Sequence, residues 1–168
     1  MKLLRAVLFL LPVALPLTAA DLFLVRHAEK VADGSSDPGL TAVGKQRAVN
    51  LAGLLRSAGI ERIFSSDYRR TLETARPLAA ALGLEIEVYD PRDLEGLAGR
   101  LLALEQNALV VGHSDTTPDL VALIGGDAGE PIVEAWEYDR VYLVQTDGGR
   151  VVRTLLLHLP PHTEERAP

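Results

Sequence analysis

The sequence predicts an α/β domain, a three-layer α/β/α sandwich around a mainly parallel central sheet. Three observations predict it. Two uninterrupted apolar runs, Leu22–Val25 and Ala108–Val111, have the composition of strands buried on both faces. The segments between them carry apolar residues at helical spacing, so strands and helices alternate. Polar and charged residues cluster directly after the strands, at the edge where open α/β sheets place their ligands.

The first strand runs straight into Arg26-His27, and a Gly- and Ser-containing loop, Asp33 to Pro38, follows. Thr41 then caps a helix reaching to about Ala58, with Ala48, Leu51, Ala52 and Leu55 on its apolar face and Gly59 as its stop. Arg62–Phe64 forms the second strand and ends in Ser65-Ser66. A second helix places Leu72, Ala75, Ala79 and Leu82 on one stripe and stops at Gly83. Pro77 lies inside it, and its missing N–H predicts a kink or a restart. Leu84 to Tyr89 alternates like a strand, residues 90–107 read as helix, and the fourth strand ends at Gly112-His113-Ser114. A short helix from Pro118 to Ile124 leads into a Gly-rich loop. Val141–Thr146 and Val151–Leu157, joined through Asp147-Gly-Gly, read as a β-hairpin.

A chain of 168 residues, 48% hydrophobic, suits one domain with a substantial core. Its formal charge of -6 is spread along the chain, whereas nucleic-acid binding needs a basic face, so no nucleic-acid partner is expected. The absence of cysteine excludes disulfides, thiolate metal sites and a Cys nucleophile. At the amino end, Lys2 and Arg5 precede an apolar run from Ala6 to Leu17 that Pro12 and Pro16 interrupt, and Thr18-Ala19-Ala20 follows. That is the layout of a cleavable secretory signal, and the run is short and proline-rich for a membrane span. The expected organisation is therefore a signal peptide over 1–20, one domain over 21–159 and a frayed tail over 160–168. It implies a secreted or periplasmic protein with no stable membrane anchor after cleavage. An uncleaved anchor or a misplaced start codon is the alternative.

Residues of three distant segments, Arg26-His27, Ser65-Ser66 with Arg69-Arg70, and His113, thus converge on one edge of the sheet. A phosphate monoester carries up to two negative charges and a poor leaving group. Its cleavage without metal needs positive charge for the equatorial oxygens, an aligned nucleophile and an acid. Arginine binds phosphate through paired charge-assisted hydrogen bonds, and neutral histidine is a good nucleophile near neutral pH.

The segments "LFLVRHAEK", "SSDYRRTLETA" and "VVGHS" together resemble the histidine phosphatase superfamily, which includes cofactor-dependent phosphoglycerate mutases and acid phosphatases. The resemblance runs in order from Leu22 to about Gly126 and implies a phosphoglycerate mutase-like fold. Arg26 and His27 match the family's opening Arg-His pair, which implies that His27 is the residue phosphorylated. Ser65, Ser66, Thr74 and Ala75 set the register of the second motif. The phosphate-binding arginine is then Arg70, with Arg69 at a variable position. His113 matches the second histidine, which in the family contacts the same phosphate. Protonated, His113 would add donors to the phosphate oxygens while His27 stays neutral, their pKa values driven apart by shared surroundings.

The general acid has more than one candidate. Mutase-like members use a Glu after the third strand, and the acid-phosphatase branch an Asp immediately after the second histidine. This chain has Ser114 at the latter place and Asp115 one residue later; after the third strand it offers Asp90, Asp93 and Glu95. Asp115 is favoured because it sits beside His113, although capping the next helix is an equally ordinary task for it. Glu95 is the next choice, and Glu29 is also near. Lys30 could widen the positive entrance but reads better as a surface lysine, and core or rim packing explains Trp136 and Tyr138 at least as well as substrate contact. His158 and His162 lack a carboxylate cluster beside them, so no metal and no cofactor is expected. The expected activity is phosphomonoester hydrolysis of a small phosphorylated substrate, with specificity set by loops 33–38 and 125–131. A phosphoglycerate mutase-like phosphotransferase and a non-catalytic phosphate- or phosphosugar-binding protein are the alternatives.

Overall fold

The computed structural model describes residues 19–160. The expected signal peptide and tail fall on residues 1–18 and 161–168, outside the described residues, except for Ala19, Ala20 and Pro160. Ten elements follow in chain order: β1 (Ala19–Arg26), α1 (Ala42–Leu55), β2 (Ile60–Ser66), α2 (Arg69–Leu82), β3 (Ile86–Tyr89), α3 (Leu94–Leu102), β4 (Asn107–Gly112), α4 (Thr116–Leu123), β5 (Arg140–Asp147) and β6 (Arg150–His158). They form one six-stranded sheet in the order β3-β2-β4-β1-β5-β6. β1 to β4 are mutually parallel, and the closing hairpin adds β5 antiparallel to β1. The expected α/β sandwich with a mainly parallel sheet is the fold observed.

Alternation along the strands builds both cores. Leu22 and Leu24 of β1, with Ala108 and Val110 of β4, face Leu97, Leu101, Leu120 and Val121 of α3 and α4. Phe23, Val25, Leu109 and Val111 face the other way, onto Leu51, Leu55, Ala75 and Leu78 of α1 and α2. Every one of these side chains is buried. Burial on both faces explains why the strands read as unbroken apolar runs.

Several boundaries differ from expectation. β1 begins at Ala19 because β5 extends the pairing, Ala19 opposite Asp147 and Ala20 opposite Thr146. Ala19 and Ala20, read as the end of a signal, therefore lie in the sheet, with Ala20 buried. The helix expected over 90–107 covers only Leu94–Leu102. Asp90 folds its own turn first, its side chain accepting from the Arg92 N–H, and Asp93 then caps the helix by accepting from the Gly96 N–H. α2 continues through Pro77 without a restart. Pro77 leaves one carbonyl without its helical donor, while buried Ala75, Leu78 and Ala79 hold both turns to the sheet. α4 begins at Thr116, two residues early, because Asp115 rather than a later residue caps it.

Candidate active site

The site lies beyond the carboxyl ends of β1, β4 and β2. Register brings its parts together, since Arg26 pairs with Gly112 and Ser65 with Val111. His27 follows β1, His113 follows β4, and Ser66 closes β2, so the three stand side by side past one sheet edge. A His27 N–H bond to the Gly112 carbonyl at 2.9 Å ties the first two strand ends together. Gly112 is required by close packing: a Cβ there would meet Thr117 Oγ1 at 2.8 Å and the Tyr89 hydroxyl at 3.1 Å.

His27 is buried, 2% exposed. Its Nδ1 lies 2.7 Å from the Ala28 carbonyl oxygen. A carbonyl can only accept, so Nδ1 carries the proton and Nε2 keeps its lone pair. The Ala28 N–H in turn donates to Thr74 Oγ1 at 3.0 Å, which anchors this turn to α2. Burial pushes the His27 pKa down to about 3, and the charges of Arg26 and Arg70 push the same way. The imidazole is thus neutral at ordinary pH, the form a nucleophile requires.

Arg70, in the first turn of α2, places its guanidinium 4.5 Å over the Tyr68 ring, and its Nη2 donates to His113 Nδ1 at 3.3 Å. Its neighbour Arg69 turns outward instead and pairs with Glu73 at 2.9 Å. The His27 and His113 rings meet edge-on, 5.5 Å between centroids. His113 Nε2 lies 2.9 Å from Ser66 Oγ. Burial, and next the Arg70 charge, lowers the His113 pKa to about 4. Burial thus lowers both imidazoles below their ordinary value, and both are neutral near pH 7.

Arg26 makes its contacts to backbone. Its Nη1 and Nη2 donate to the carbonyls of Glu137 and Glu134 at 2.8 and 2.9 Å, and its guanidinium stacks 3.9 Å from the Tyr138 ring centroid. It holds the 134–137 segment against the site. Two buried polar side-chain atoms among the described residues have no hydrogen-bond partner, Arg26 Nε and Arg70 Nε. A buried guanidinium N–H without an acceptor is costly, and of these two arginines Arg70 lines the cavity beside His27 while Arg26 does not.

A cavity of about 360 Å³ opens above His27, Arg70 and His113, with Lys30, Tyr68, Arg92, Asp115 and Glu134 among its walls. Asp115 lines this cavity, but its Oδ1 also caps α4 through the Thr116 N–H at 2.8 Å. Glu95 lies exposed in the first turn of α3 and does not line the cavity. Glu29 is held by Arg47 through bonds of 2.9 and 2.5 Å and is likewise absent from the walls. Glu134 and Tyr68 are the residues sequence reasoning missed, and Lys30, read as a surface lysine, lines the cavity 3.3 Å from Glu134. Glu134 sits in a loop without a periodic pattern, so no sequence signal marks it. Among the described residues no cluster of three or more His, Asp or Glu is arranged to hold a metal ion.

Residues 22–93 match the sequence profile of the histidine phosphatase superfamily, branch 1. A probable phosphoglycerate mutase of Yersinia enterocolitica is 47% identical over 78 residues, covering 43% of this chain and 36% of that protein. One from Enterobacter is 38% identical over 105 residues, covering 59% and 45%. The chain therefore matches less than half the length of these relatives. Among solved structures, the protein histidine phosphatase SixA complexed with tungstate superposes with a TM-score of 0.68 at 22% identity, covering 82% of this chain and 96% of that one. A mycobacterial glucosyl-3-phosphoglycerate phosphatase superposes with a TM-score of 0.64 at 17% identity, covering 83% and 98%. The segment that carries His27, Ser66 and Arg70 is thus similar to the histidine phosphatase superfamily, and the described chain shares the fold of these solved histidine phosphatase neighbours.

Proposed function

We propose that this protein hydrolyses phosphate monoesters, without a metal ion, through a phosphohistidine on His27. The carrying observation is the fixed tautomer of His27, with Nδ1–H given to the Ala28 carbonyl and the Nε2 lone pair left on a ring that lines the cavity with Arg70 and His113. His27 Nε2 attacks phosphorus as the ester P–O bond breaks, and the leaving oxygen takes a proton from Asp115. Water, giving a proton back to the Asp115 carboxylate, then attacks the phosphohistidine as the P–N bond breaks, releasing inorganic phosphate and restoring neutral His27. Arg70 and His113 supply donors to the phosphoryl oxygens, the electrostatic contribution that dominates such transfers. Arg26 contributes charge through Nε while its other nitrogens hold the 134–137 segment.

Hydrolysis is favoured over phosphoryl return to a bound product because the cavity stays open to water. Between Arg70 and His113 the chain builds only the rest of α2, then β3, α3 and β4. A mutase must exclude water while its phosphoenzyme waits. The tungstate held by SixA supports a tetrahedral oxyanion as the ligand class. The signal-like layout of residues 1–20 supports export and a substrate outside the cytoplasm. Acid-quench labelling with a radiolabelled aryl phosphate tests the reading: wild type should retain acid-labile label and His27→Ala none. Absence of label on wild type, or equal label on both, refutes it.

A further inference from the structure

Two buried hydroxyls behind the cavity and the half-buried imidazole of His113 on its wall form a directed chain. Arg70 Nη2 lies 3.3 Å from His113 Nδ1, and a guanidinium nitrogen can only donate, so Nδ1 is the acceptor. In the neutral ring Nε2 then carries the proton and donates to Ser66 Oγ at 2.9 Å. With that lone pair used, the Ser66 hydroxyl donates to Thr71 Oγ1 at 3.1 Å. Thr71 Oγ1 ends the chain on the carbonyls of Ser66 and Tyr68, each at 2.8 Å. Ser66 and Thr71 are both 0% exposed, so no water substitutes for either. The backbone side is equally fixed, since the His113 N–H donates to Thr116 Oγ1 at 3.0 Å.

We propose that Ser66 and Thr71 are positioning residues that hold His113 as its Nε2–H tautomer and so present Nδ1 to the cavity. The assignment deepens the phosphatase reading and rests on it for its consequence, though not for the tautomer itself. At rest Nδ1 accepts from Arg70. When a phosphate dianion draws Arg70 away, the same lone pair is the one place on the ring that can take a proton from solvent. The protonated ring then donates to a phosphate oxygen. The charged groups around His113 are Arg70 from α2, Asp115 from the start of α4, and Lys30 and Arg26 from the β1 side; none of them touches Nε2. On its Nε2 side the ring is therefore held by the two hydroxyls, while Arg70 meets Nδ1 and the Tyr68 ring packs edge-on against it. With the Ser66 acceptor lost, Nδ1–H becomes available and would point a proton at Arg70.

The relay is tested on ligand-free protein by long-range proton–nitrogen correlation of the histidine ring, which distinguishes the two tautomers without any substrate. Wild type and Thr71→Ser should show His113 protonated at Nε2. Ser66→Ala and Thr71→Val should show a mixture or the Nδ1–H form. Tungstate should inhibit wild type and Thr71→Ser alike and bind the two hydroxyl-deficient variants roughly tenfold more weakly. An unchanged His113 pattern in Ser66→Ala, or Thr71→Ser behaving like Thr71→Val, overturns the relay. Wild type with the Nε2–H pattern but no phosphohistidine sinks the phosphatase reading and leaves the relay standing. The two failures are thus separable.

Discussion

At the residue scale the site is a case of one side chain preparing another. His27 has the form a nucleophile requires because the Ala28 carbonyl accepts from its Nδ1–H and burial keeps the ring uncharged. Arg69 and Arg70 are adjacent in sequence and opposite in task, since one pairs with Glu73 in solvent and the other shares a cavity with both histidines. Arg70→Ala should therefore lower kcat/KM by about 2 kcal/mol or more of transition-state binding, the scale of a charge-assisted contact to a phosphoryl group. Arg69→Ala should stay within a few fold of wild type; steady-state kinetics on an aryl phosphate would show the reversed ranking if the roles were exchanged. Asp115 is a carboxylate on the cavity wall close to His113, and an acid matters most where the leaving group is poor. Asp115→Asn should cost about 10²-fold or more on an alkyl phosphate and much less on a nitrophenyl ester. Equal losses on both substrates would assign Asp115 to capping alone and leave Glu134 as the acid.

At the scale of elements, caps and strand ends matter more than propensity. Thr41 starts α1 by accepting from the Gly44 N–H at 3.0 Å, and its own N–H donates to the Glu29 carbonyl two residues past His27. A helix cap thereby braces the turn that follows His27. Thr41→Ala should lower stability by about 1 kcal/mol, measured by urea unfolding, with no change in the tautomer of His27. Gly83 ends α2 in the left-handed conformation, with φ 67°, as its place after the apolar stripe suggests. α3 illustrates what composition hides. Residues 90–107 contain enough helix formers to read as one helix, yet Asp90 and Asp93 each spend a side-chain oxygen on a nearby N–H and divide the segment into turn and helix.

For the whole molecule, the two neutral imidazoles tie folding to pH. Both pKa values are lowered from 6.5, to about 3 for His27 and about 4 for His113. An unfolded chain binds protons at these positions below pH 6.5, whereas the native protein does not until pH 4 or below. The unfolded state therefore holds more protons in that window, and stability falls as pH drops through it. The slope is at most about 1.4 kcal/mol per pH unit for each histidine, reached in full only by buried His27. Unfolding midpoints measured from pH 7 to pH 4.5 should decline, and His27→Asn should flatten the curve. A flat wild-type profile would mean that the rings are charged in the native state. Below about pH 4.5 the carboxylates of Glu73, Glu87 and Glu137 add to the loss, because their pKa values are lowered by hydrogen bonds from neighbouring groups.

The sequence by itself determined the sandwich, the strands and the meeting of His27, Arg70 and His113 at one sheet edge. Doubly buried strands must be apolar throughout, and polar residues placed just after them have nowhere to project except the carboxyl edge. Only the tertiary structure decided that Arg26 spends two nitrogens on the carbonyls of Glu134 and Glu137, that Glu29 is claimed by Arg47, and that Glu134 joins the cavity wall. Those outcomes depend on which loop lands beside which strand end, a consequence of sheet order. Charged side chains take whichever partner packing brings within reach, and nothing local in the chain records that choice.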